Sequence, residues 1–101
     1  MLGTFMALRR AKAILATPRI SSICKVWEIS TSVSIDAGGV VEVSFKQEGK
    51  PIAFLKSQPG LLPWLIVQSP APSGVGRTVL ATSSTKEAAG SLLALLELCK
   101  K

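Results

Sequence analysis

Apolar residues recur at two different spacings along this chain, and the change of spacing divides it. Ala7, Leu8, Ala11, Ile14 and Leu15 fall on one face at helical spacing, with Arg9, Arg10 and Lys12 on the others. The pattern predicts a short helix over residues 6–16. Thr17-Pro18 ends it, because proline drives the preceding residue out of helical angles. Leu2, Phe5 and Met6 lie off the stripe.

From Val26 the spacing becomes two. Trp27, Ile29, Thr31, Val33 and Ile35 alternate with Glu28, Ser30, Ser32 and Ser34, which predicts a strand with its apolar set, Trp27 included, in the core. "DAGG" (Asp36 to Gly39) is a turn, and Val41, Val43 and Phe45 then alternate with Glu42, Ser44 and Lys46. "QEGK" predicts a tight hairpin in which Gly49 takes a positive φ. A third strand, Ile52 to Lys56, ends at Pro59-Gly60. "LLPWLIVQ" is apolar on both faces and is expected to be covered on both, with Pro63 at its start or at a bulge. "SPAPSGVG" has linker composition, and "RTVLAT" is the final strand.

The last segment returns to helical spacing. Ser84 and Glu87 have the spacing of a capping box, and Ala88, Leu92, Leu95, Leu96 and Cys99 form one stripe that Leu93 and Leu98 widen. So wide an apolar surface exceeds what one small sheet can cover, so part of it is expected against the N-terminal helix or a second subunit. The fold class is α+β: a small antiparallel meander of five strands, with a short N-terminal helix and a leucine-rich C-terminal helix packed on one face. Residues 1–25 form a basic segment bearing the short helix, and 26–101 a single α+β domain.

Composition adds limits. A chain of 101 residues, 48% of them hydrophobic, has the material for one core. "LLPWLIV" falls short of the ~20 apolar residues that span a bilayer, so the chain is expected to be soluble. Cys24 and Cys99 make no disulfide framework, and the absence of histidine argues against a metal centre. Both thiols fit a reducing intracellular compartment.

Catalytic chemistry finds little to work with. There is no histidine or tyrosine, and the one aspartate, Asp36, sits in a glycine-rich turn. Glu28 and Glu42 are expected on the outward faces of neighbouring strands, solvated beside Lys46, and no serine has a basic partner. Gly74 and Gly76 open onto a strand where a phosphate-binding loop would open onto a helix. These readings exclude a catalytic role and call for no cofactor. Trp27 and Trp64 are expected in the core. The outer sheet face (Ser30, Ser32, Ser34 and Ser44, with Thr78 or Thr82) is read as poor in aromatics and unlike a base-stacking platform.

Charge is what remains. The net charge is +6, and residues 1–25 hold Arg9, Arg10, Lys12, Arg19 and Lys25 against no acid, while 26–101 hold seven cations against six acids. The basic segment has three readings: a helix packed through Ala7, Ala11, Ile14 and Leu15; a cleavable presequence over residues 1–21, which would imply a mitochondrial protein; and an arm contacting phosphates. The leading expectation is a non-enzymatic accessory protein that binds DNA or RNA, sequence-tolerantly, through those five cations with Lys46. It would dimerise through Leu92, Leu93, Leu95, Leu96 and Leu98. The rival is a structural or adaptor subunit that docks on a protein partner through the C-terminal helix or the Ser/Thr-rich face.

Overall fold

A computed structural model describes residues 2–58, 65–70 and 77–98. Three helices and five strands follow the order α1 (Leu2–Leu15), α2 (Pro18–Val26), β1 (Ile29–Ile35), β2 (Val41–Gln47), β3 (Lys50–Ser57), β4 (Leu65–Ser69), β5 (Arg77–Thr82), α3 (Thr85–Leu98). The strands form one antiparallel sheet in sequence order, so the α+β meander is as the alternation predicts.

The turns follow from their residues. Asp36 Oδ1 accepts from the Gly38 and Val40 N–H groups (2.8 and 3.0 Å), and Gly39 takes φ 83°. That side chain replaces the backbone partners a bending chain loses. At the next hairpin Glu48 (φ 54°) and Gly49 (φ 78°) both have positive φ, and Gln47 pairs with Lys50. The turn is therefore a two-residue loop whose twist matches that of the strands.

One face of the sheet is covered by helices. Val41, Val43, Phe45, Ala53, Leu55, Leu65 and Val67 form a buried cluster with Ala7, Ala11, Ile14 and Ile20 of the first two helices and Ala88, Leu92 and Leu96 of α3. The stripe read for the N-terminal helix is therefore core. The helix begins at Leu2, four residues earlier than the predicted start at residue 6, with Phe5 and Met6 exposed on its far side. α1 lies over β2 and β3, α3 over β3, β4 and β5, and α2 reaches β1 and both other helices. The wide apolar surface of α3 thus meets the N-terminal helices.

Three expectations need correction. Residues 18–26 are a second helix. Pro18 ends α1 and also starts α2, since its fixed φ suits the first helical position, where no N–H is required. Ile20 is buried, and Ile23 and Cys24 pack partly against the core one turn on. Trp27 belongs to no strand: it closes α2, half-buried, and its carbonyl accepts from Gln47 Nε2 (3.0 Å). Glu28 follows with φ 53° in the turn before β1. Finally, β1 is not a covered strand. Thr31, Val33 and Ile35 pair with Phe45, Val43 and Val41 and so face the helix side, yet all three are exposed, because α1 stops short of this edge.

No helix is long and apolar enough to cross a membrane among the described residues. The readings of Pro59-Gly60, Pro63, Trp64, the loop containing Gly74 and Gly76, Cys99 and the C-terminal lysines lie outside the described residues.

Candidate nucleic-acid interface

The cations of the N-terminal segment are placed by the burial of its apolar stripe. With Ala7, Ala11 and Ile14 turned into the core, Arg9 and Lys12 are left exposed on α1, and Arg19 and Lys25 are likewise exposed on α2. None of these four side chains makes a hydrogen bond or ion pair among the described residues. No acid occurs before Glu28, so α1 and α2 carry uncompensated positive charge.

Arg10 differs from its neighbours. It is half-buried, and its Nη2 donates to the Ser83 carbonyl at 2.6 Å, tying α1 to the segment that enters α3. Around it Met6, Arg9, Arg10, Ala13 and Thr85 line a shallow cleft of ≈ 240 Å³. Two guanidinium groups thus stand beside the start of α3, where the helix dipole gives a partial positive charge.

Lys46 is exposed on β2, on the sheet face opposite the helices, so the structure separates it from the other five cations. That outer face also carries Ser30, Ser32, Ser34, Ser44 and Thr78. Thr82 is not there: it is buried on the helix side. Sequence reasoning missed Phe54. Its partners Ser44 and Gln68 put it at the centre of the outer face, half-buried, with Ile66 nearby across from Lys56. The signal was the phase of β3, where Ala53 and Leu55 are wholly buried. Glu28 and Glu42 are not brought together, since Glu28 precedes the Ile29–Gln47 pair while Glu42 lies opposite Ser34 and Lys56.

The leucines of α3 divide between burial and exposure. Leu92 and Leu96 are core, Leu93 and Leu95 pack partly against it, and Leu98 is 82% exposed. Cys24 is half-buried on α2, and burial pushes its thiol pKa up.

Neither a protein-family model, nor a curated protein sequence, nor a solved structure matches the chain.

Proposed function

We propose that this protein is a non-enzymatic nucleic-acid-binding accessory protein whose α1–α2 surface contacts phosphates. The observation that carries this reading is the division of labour on α1: its apolar stripe is spent in the core while Arg9 and Lys12 stay exposed and, among the described residues, unpaired. With α1 packed on β2 and β3, the charge it presents lies on the surface of the folded chain. Arg19 and Lys25 extend that surface along α2. Arg10 serves chiefly to hold α1 to α3, and Lys46, on the other face, adds a contact only to a strand that wraps the sheet edge.

The test is fluorescence anisotropy with labelled single- and double-stranded oligonucleotides over a range of salt. Four engaged cations predict a slope of log K against log salt of roughly −3 to −4. Reversing Arg9 and Lys12 together (Arg9→Glu, Lys12→Glu) is expected to weaken binding by roughly tenfold or more at low salt. Arg10→Ala should cost less affinity than Arg9→Ala and more stability. Absence of salt-dependent binding at tens of micromolar protein would overturn the reading.

The uncovered outer face supports a second reading, an adaptor subunit in a protein assembly. Phe54 and Ile66 there offer an apolar centre within a rim of serines, and no described element covers it. Phe54→Ser would then abolish partner capture without lowering the melting temperature by more than a few degrees, whereas the charge reversals on α1 would leave capture intact.

A further inference from the structure

Among the described residues β1 is an edge strand with neither charge, proline nor bulge to protect it. Its sequence, ISTSVSI, contains no charge and no proline in a chain of net charge +6. Its pairing with β2 runs unbroken from Ile29 opposite Gln47 to Ile35 opposite Val41. All but Ile29 is exposed, with Val33 at 45% and Ile35 at 51%. Edge strands are ordinarily blunted by charge, proline or a bulge, because their unpaired N–H and C=O groups invite another strand. The opposite edge is blunted in that way: β5 starts at Arg77, and its register with β4 breaks between Val67 and Gln68.

The strand also reads nearly the same in both directions. Isoleucine, serine, a β-branched residue and serine lead to the centre from either end, and the one mismatch sets Thr31 against the isosteric Val33. Backbone direction agrees with this symmetry. The Asp36 N–H donates to the Val40 carbonyl (3.0 Å), and the antiparallel alternation counted from it turns the Ser30, Ser32 and Ser34 backbone toward β2. The N–H and C=O groups of Thr31 and Val33 then point to the free edge.

We propose that two copies of this chain pair β1 to β1 in antiparallel register about a two-fold axis at Ser32, making one continuous sheet. Ile29 then lies opposite the second copy's Ile35, Ser30 opposite its Ser34, Thr31 opposite its Val33, and Ser32 opposite its own counterpart. Apolar residues meet on the helix side, where α1 leaves them uncovered, and serines meet on the outer face. A one-residue slip would set each copy's apolar set on the other's serine face. The contact uses each copy's unprotected edge, so association stops at two. Seven residues of edge are small against a permanent interface, so the dimer is concentration-dependent and of micromolar strength. This inference does not rest on nucleic-acid binding, and its test involves none.

Sedimentation velocity of the full chain, from low micromolar to sub-millimolar, tests it. The wild-type chain is expected to shift from monomer to dimer and no further. Val33→Pro removes an edge-facing donor without taking a hydrogen bond from β2, and should abolish the dimer while leaving circular dichroism and melting close to wild type. Ser32→Lys and Ser32→Asp each place like charges face to face at the axis and should weaken dimerisation several-fold. An equimolar mixture of the two should restore it as a heterodimer. A wild-type chain that stays monomeric, a dimer that survives Val33→Pro, or Lys and Asp variants that do not rescue each other would each overturn the proposal.

Discussion

The Thr82 hydroxyl donates to Glu87 Oε2 at 2.8 Å and accepts from the Ser84 N–H at 3.0 Å, linking the end of β5 to the first turn of α3. In an ordinary capping box the glutamate would take the N-cap N–H itself. Here Ser84 Oγ accepts from the Glu87 N–H (3.2 Å) as the box requires, but the return bond runs through Thr82. A strand residue has become part of a helix cap. Thr82→Val is therefore expected to cost about 1–2 kcal/mol, leaving the Ser84 N–H without its partner, while Thr82→Ser should recover most of the loss. Urea unfolding of the two variants is the check, and equal losses would rule the relay out.

Ser57 points the other way. It sits on the core face of β3 between Val41 and Leu65, fully buried, and its Oγ has no hydrogen-bond partner among the described residues. A buried hydroxyl without a partner costs folding energy that an alanine of nearly the same size does not. Ser57→Ala should raise stability by about 1 kcal/mol. A lowered unfolding midpoint would mean that this hydroxyl has a function in the folded chain.

Ile14 measures whether α1 belongs to the fold. It is wholly buried in the same cluster as Phe45 and Leu55. Ile14→Ala should cost about 2–4 kcal/mol, as for other large-to-small changes in a core. Removal of residues 1–16 should leave a chain that aggregates or fails to show a cooperative melt. A truncated chain that melts as sharply and as high as the full one would instead fit a dispensable leader.

Cys24 supplies the pH dependence. Burial raises its thiol pKa, so in the unfolded chain this group ionises at lower pH than in the folded one. At pH below the unfolded value both states are protonated and the contribution is fully present. As pH rises through the unfolded value toward the higher folded one, the unfolded state loses its proton first and stability falls. In a Cys99→Ser background, alkylation of Cys24 by iodoacetamide near pH 8 should be slower in the native than in the urea-unfolded chain. Equal rates would contradict the shift.

Local chemistry was legible where local chemistry decides. Val41, Val43 and Phe45 alternate with polar partners and are buried as the pattern requires. Gly49 stands at the turn position that needs it, and the stripe of α1 is the stripe that is buried. Elsewhere the same signals admit two meanings. Thr17-Pro18 stops one helix and begins another, and only the packing of Ile20 between helices and sheet selects the second meaning. Trp27 shares the phase of β1, but α2 runs on to Val26 and takes the tryptophan as its closing residue. For the candidate surface, charge was readable by counting, whereas the separation of Lys46 from the helix cations and the bond that occupies Arg10 were not.

β1 and β2 mark the limit most sharply. Both strands alternate, and their apolar residues face the same side of one sheet, yet β2 is buried and β1 is open. Periodicity, turn residues and charge asymmetry are properties of neighbours along the chain, so the sequence by itself determined the strands, the hairpins, the stripes of α1 and α3 and the basic N-terminus. Coverage depends on where three helices of limited width come to rest on a sheet of five strands. Only the tertiary structure decided that, and with it which apolar face became core and which was left as an edge for something else to meet.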